Sequence, residues 1–133
     1  MDVRNVTEFE VPGGPKAPLS ARAKLAETRD ERLGEPVVDD MRLLVSELVT
    51  NCVVHGGMDD PRGRIRVRTA VRDDSVRTEV CHDGPPFAAP SEDPDLGSPG
   101  GLGLFLVEQM SHAWGIDQSR ETCVWFELCL ATA

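Results

Sequence analysis

Hydrophobic residues recur at helical spacing through the middle of the chain, at Val37, Met41, Leu44, Val45, Leu48, Val49 and Cys52. At about 100° per residue these positions line one stripe, which predicts an amphipathic helix with a buried face. Glu47, Asn51 and His55 stand four residues apart. They form a polar row along the edge of the stripe rather than opposite it. Pro36 falls in the first turn, where its missing N–H costs nothing. Asp39 and Asp40 lie near the N-terminus, where the helix dipole favours negative charge. Gly56-Gly57 ends the helix, because glycine readily takes the left-handed conformation at that place.

The remaining pattern is mixed. Residues 3–11 carry spaced apolar positions, Val6 and Phe9 among them, and predict an N-terminal strand broken by Pro12-Gly13-Gly14-Pro15. Residues 18–33 predict a helix with a thin apolar face of Leu19, Ala23, Ala26 and Leu33, capped by Gly34. Residues 64–71 alternate Ile65, Val67 and Thr69 against Arg64, Arg66 and Arg68. That is a strand with one wet face, and the basic side reads as solvated. Asp73-Asp74 makes a hairpin turn into a return strand at residues 76–81, with Val76, Thr78 and Val80 on one side. Residues 82–101 have no periodicity and hold five prolines. A long irregular loop of this kind reads as a lid. Residues 102–110 predict a short helix with Leu102, Leu106 and Met110 on one side. Residues 114–118 and 122–130 predict a closing pair of strands, the second alternating Val124, Phe126, Leu128 and Leu130. The order is strand, helix, helix, strand, strand, lid, helix, strand, strand. It predicts an α+β two-layer sandwich, with helices on one face of a mostly antiparallel sheet. With no repeat and no linker, residues 1–133 read as a single domain.

Composition narrows the function. A net charge of −9 argues against direct nucleic-acid binding, which favours a basic surface. No apolar run approaches the roughly 20 residues that span a bilayer, and no signal peptide is visible. The four cysteines, Cys52, Cys81, Cys123 and Cys129, include no Cys-x-x-Cys pair. They read as buried free thiols in a reducing cytoplasm, and the absence of paired spacing argues against structural zinc.

The chemistry gathers in three segments. Glu47 and Asn51, one turn apart and half-sheltered, suit a general base and a hard oxygen ligand for Mg²⁺. Taken alone, the row also fits an edge that is merely solvated. In Val80-Cys81-His82-Asp83-Gly84-Pro85-Pro86-Phe87 a strand ends at a carboxylate and a glycine turn. Asp83 there can accept from an exocyclic amine such as that of adenine, although Asp-Gly is also common turn chemistry. In Gly100-Gly101-Leu102-Gly103-Leu104 glycines precede a helix, where backbone N–H groups can close around an anion. This is neither a P-loop nor a dinucleotide fingerprint.

In this order the three segments resemble the motifs of the GHKL (Bergerat-fold) ATPases, which include histidine-kinase catalytic domains. Glu47-Leu48-Val49-Thr50-Asn51 is similar to the family's N box. Asp83-Gly84-Pro85-Pro86-Phe87 resembles its first glycine box, and Gly101-Leu102-Gly103-Leu104 its second. The short chain, His55-Gly56 and Trp114-Gly115 resemble the single-domain anti-sigma-factor serine/threonine kinases. The resemblance implies ATP and Mg²⁺ as cofactors, held between the helices and the sheet. It implies Asn51 as the metal ligand and Glu47 as the catalytic base or orienting group. Nucleotide contacts would come from Asn51, His55, Asp83, Gly84, Gly101, Leu102, Gly103 and Leu104. The implied partners are a sigma factor and an anti-anti-sigma (STAS) protein, with no membrane contact, and relatives commonly form homodimers. Aligned without a gap, the family's adenine-binding aspartate falls on His82, with Asp83 one residue later. Asp83 is preferred because Gly84 lets the turn twist, and His82 is the alternative. Pro86 replaces the second glycine, and Leu102 stands where relatives often carry a basic residue. The resulting expectation is an ATP-dependent protein kinase that is also an anti-sigma factor. The alternative is a non-catalytic GHKL-fold interaction module.

Overall fold

A computed structural model describes residues 5–28, 30–83 and 103–130. The chain order is β1 (Asn5–Pro12), α1 (Ala17–Glu27), α2 (Glu35–Val54), β2 (Arg64–Val71), β3 (Ser75–His82), α3 (Gly103–Met110), β4 (Ala113–Asp117) and β5 (Thr122–Cys129). The strands form one sheet in the order β1-β2-β3-β5-β4, and every neighbouring pair is antiparallel. This is the expected α+β arrangement of helices on an antiparallel sheet.

Register decides which side chains face the helices. Val67 pairs with Val80, and Val80 with Val124; Thr69 pairs with Thr78, and Thr78 with Phe126. These rungs are buried. Their apolar members join Met41, Leu44, Val45, Leu48, Val49 and Cys52 of α2, Ala17, Ala21 and Leu25 of α1, and Leu104 and Val107 of α3 in one core. α2 is the central helix, because its stripe is wide enough to touch the sheet and both other helices. Fully burying a leucine such as Leu44 or Leu48 contributes about 1.5–3 kcal/mol.

The other face of the sheet is charged. Arg66 pairs with Glu8 at 3.5 Å and with Glu121 at 2.5 Å, and Arg68 with Glu79 at 3.7 Å. Arg77 pairs with Glu79 at 3.2 Å and Glu127 at 3.5 Å, and lies 4.1 Å from the centroid of the Trp125 ring. Arg66 and Arg68 of the basic stripe of β2 are therefore paired with carboxylates of neighbouring segments, while Arg64 is exposed. Each such pair contributes at most about 1 kcal/mol.

Several expectations are corrected. α1 ends at Glu27 rather than running to residue 33, and Gly34 is the N-cap of α2 rather than the end of α1. Its buried face is Ala17, Ala21 and Leu25, while Leu19 is 71% exposed and Ala23 and Ala26 also face solvent. Val38 is the buried residue in the first turn of α2, with Val37 at the margin. Val6 points away from the core, since residues three apart in a strand lie on opposite faces. His82 belongs to β3 rather than to the loop, and residues 84–102, which carry most of the expected lid, lie outside the described residues. The cysteines also differ. Cys81 and Cys123 form a disulfide across the β3–β5 ladder, Cys129 is free but exposed, and Cys52 alone is a buried free thiol. Burial raises the Cys52 pKa and keeps it protonated, so it packs as a small apolar group.

Candidate functional site

The last turns of α2 carry the polar row from core to solvent. Asn51 is 3% exposed, Glu47 is half-buried, and His55 is exposed at the C-cap. The hydroxyls beside them are already engaged. Thr50 Oγ1 donates to the Ser46 carbonyl at 2.8 Å, and Ser46 Oγ to the Leu43 carbonyl at 2.9 Å. The main-chain carbonyl of Asn51 accepts from His55 and Gly56 N–H groups at 2.8 and 3.0 Å. Its side-chain Oδ1 is buried with no hydrogen-bond partner among the described residues. Leaving such an acceptor unpaired costs about 1–3 kcal/mol. A desolvated, unpaired carboxamide oxygen is chemically suited to a hard cation such as Mg²⁺.

The end of β3 meets this end of the helix. His82 continues the inward alternation of Val76, Thr78 and Val80 and is fully buried. A Cβ on Gly56 would lie 2.7 Å from His82 Cε1 and 3.0 Å from Nε2. Only glycine lets the main chain approach the imidazole so closely. Gly57, at φ +76°, then turns the chain away. The polar row and the strand end are thus adjacent because one glycine has no side chain. Asp83, the next residue, is exposed. At the third segment, Gly103 begins α3 and Leu104 is buried, with α3 packed against α2. Gly84, Gly101 and Leu102 lie outside the described residues. The structure thus brings Glu47, Asn51 and the β3 end to one side of the sheet. The His82–Gly56 contact is absent from the sequence reading, and its signal was the phase of β3, which extended by one residue turns His82 inward.

Burial depresses the His82 pKa, while the charges of Glu121 and Asp83 act in the opposite direction. The unfolded chain therefore takes up a proton that the folded chain resists. The associated stability is present above the ordinary value of 6.5 and is lost as pH falls below it. The expected loss is at most about 1.4 kcal/mol per pH unit. Urea unfolding at several pH values should show this acid limb, and His82→Gln should flatten it. An unchanged limb in that variant would assign the effect to other groups.

Helices packed on one face of an antiparallel sheet place the chain in an ATPase-type fold class. The family described as histidine kinase-like ATPase domain matches residues 16–128, and the chain belongs to it. The chain is similar to the serine-protein kinase RsbW of Bacillus subtilis (strain 168), at 32% identity over 84 residues, covering 55% of this chain and 52% of the relative. RsbW of Listeria monocytogenes serotype 4b (strain F2365) is 30% identical over 84 residues, covering 55% and 54%. The chain thus spans about half the length of the curated relatives it matches. Among solved structures, a histidine kinase domain from the Erythrobacter litoralis EL346 blue-light activated histidine kinase matches with TM-score 0.51 and 25% identity, covering 70% of this chain and 44% of that one. The catalytic domain of histidine kinase ThkA matches with TM-score 0.51 and 14% identity, covering 97% and 100%, which supports the fold alone. Among the described residues no helix is long and apolar enough to cross a membrane.

Proposed function

We propose that this chain is a cytoplasmic ATP-binding regulator: an anti-sigma factor with protein serine/threonine kinase activity toward an anti-anti-sigma (STAS) protein. The observation that carries the reading is the buried Oδ1 of Asn51, without a hydrogen-bond partner among the described residues and one helical turn from Glu47. Family membership and the similarity to proteins named serine-protein kinase support it. Asn51 would hold Mg²⁺, which would supply charge neutralisation for phosphoryl transfer. Glu47 orients or deprotonates the attacking serine or threonine hydroxyl. His55, Asp83, Gly84, Gly101, Leu102, Gly103 and Leu104 complete the nucleotide contacts, those around the second glycine segment through main-chain N–H groups. The regulator works as a homodimer that binds a sigma factor and makes no direct nucleic-acid contact, in keeping with its net charge of −9. Incubation of the purified chain with labelled ATP, Mg²⁺ and a candidate STAS protein tests this. Transfer of label to a hydroxyl side chain, lost in Glu47→Gln, is expected. Nucleotide binding without transfer to any candidate would remove the kinase assignment.

One observation favours the second reading, a non-catalytic interaction module with weak or no nucleotide binding. At the strand end an imidazole is buried against Gly56, whereas the carboxylate of Asp83 is exposed. Calorimetry with ATP and Mg²⁺ separates the two readings, since no measurable binding would favour the module, and titration of two variants tells Asp83 from His82 at the adenine. If Asp83 binds the adenine amine, Asp83→Asn should weaken ATP by roughly ten- to a hundredfold, the value of one charge-assisted hydrogen bond. Tighter binding by His82→Asp, together with an indifferent Asp83→Asn, would give the base contact to position 82 instead.

A further inference from the structure

On the sheet face away from the helices, register gathers what sequence spacing keeps apart. Cys81 and Cys123 are 42 residues apart but directly opposed across β3 and β5, with Cα atoms at 4.1 Å. Glu121, one residue before β5, brings a carboxylate to the same place. The two sulfurs and a Glu121 oxygen all lie within 4.8 Å of one another. Arg66, the rung neighbour of Cys81, holds Glu121 at 2.5 Å. Asp117 is opposite Cys123 on the other side, but its carboxylate accepts the Ser119 N–H at 2.9 Å and so is engaged in its own turn.

We propose that Cys81, Cys123 and Glu121 form a redox-gated site for a thiophilic divalent cation, with Zn²⁺ as the best match. The disulfide is the oxidised, metal-free form of the site. A dithiol reductant opens the S–S bond by exchange: its own two sulfurs close into a disulfide, and Cys81 and Cys123 each gain a hydrogen. The cation then displaces both thiol protons to solvent and takes two thiolates and one carboxylate. The donor set of two sulfurs and one oxygen suits zinc and disfavours Mg²⁺ or Ca²⁺, which prefer all-oxygen shells. Charge closes as well, since three ligand anions face the dication and Arg66. One Glu121 oxygen can keep the Arg66 pair while the other binds metal, the arrangement in which outer partners orient ligands. Cys123 and Glu121 are part-exposed, so the cation has an entry path and water fills the fourth position. The site does not depend on the kinase reading. In a reducing compartment the dithiol form would prevail, and oxidation would expel the ion.

The test is a metal titration. The chain is reduced with dithiothreitol, desalted under nitrogen and titrated with Zn²⁺ against a chromophoric chelator. Co²⁺ is added in parallel as a spectroscopic probe of thiolate ligation. We expect one saturable equivalent and a sulfur-to-cobalt charge-transfer band in the reduced protein, with neither in the oxidised protein. Cys123→Ser should weaken binding by more than roughly a hundredfold, beyond the usual effect of outer-shell partners, and Glu121→Gln by roughly tenfold. Absence of a saturable site in the reduced chain would overturn the proposal. So would equal binding by oxidised and reduced wild-type protein, a comparison that needs no variant to fold.

Discussion

Reduction of the Cys81–Cys123 disulfide is expected to lower the stability of the metal-free chain by about 4 kcal/mol. The bond closes a loop across a separation of 42 residues, and loop-closure entropy for that length gives about 4 kcal/mol at 25 °C. The closed loop contains α3 and β4 and is anchored at the ends of β3 and β5. In the unfolded chain the bond removes many open conformations. In the folded chain the register already holds both cysteines opposite each other. For a domain of this size the effect corresponds to a fall in Tm of about 10–20 °C. Circular dichroism melts of oxidised and reduced protein, both with chelator, measure it. A shift under about 3 °C would mean that the unfolded chain is already compact around this loop. Addition of Zn²⁺ to the reduced form should restore part of the loss, because a ligand bound only by the folded state stabilises it.

The disulfide also marks where sequence reading stops. Pairing of Cys81 with Cys123 is a consequence of strand order and register, and neither is written in local spacing. Legibility was greatest in α2, where apolar positions repeat with the helical period over five turns and fix the buried face. That period also placed Glu47, Asn51 and His55 in a row at the edge of the stripe. It did not show how deep Asn51 lies, because depth depends on the elements packed against α2, which local spacing does not give. α1 was legible as a helix but not in phase. Its buried residues, Ala17, Ala21 and Leu25, are mostly small, so the exposed Leu19 carried the stronger hydrophobic signal. The strand alternation of β2, β3 and β5 was legible, since each has one wet face. The end of β3 was not, because Asp-Gly reads as a turn signal whether the strand stops before or after His82.

Truncation of Asn51 should impair binding strongly while leaving stability nearly unchanged. A purely structural buried residue destabilises the fold when cut back. Asn51→Ala removes an acceptor whose burial costs about 1–3 kcal/mol, which offsets the small cavity left behind. The expected change in unfolding free energy is therefore within about 1 kcal/mol of zero, in either direction. Mg²⁺-dependent ATP affinity, by contrast, should fall by more than roughly a hundredfold, since a direct metal ligand matters more than the outer-shell groups that commonly change affinity 10–100-fold. Such a split between stability and binding is typical of side chains kept for a site rather than for packing. Denaturant unfolding supplies the first half of this test. A loss of several kcal/mol would return Asn51 to the core.

Calorimetric titration of ATP into wild-type and Asn51→Ala protein, each with Mg²⁺ and with chelator, tests the site most directly. The buried Oδ1 of Asn51, which has no hydrogen-bond partner among the described residues, predicts that wild-type protein binds ATP with Mg²⁺, that chelator weakens this binding strongly, and that Asn51→Ala with Mg²⁺ binds no better than wild-type protein without it. Equal ATP affinity in the two proteins, with the same dependence on Mg²⁺, would contradict it.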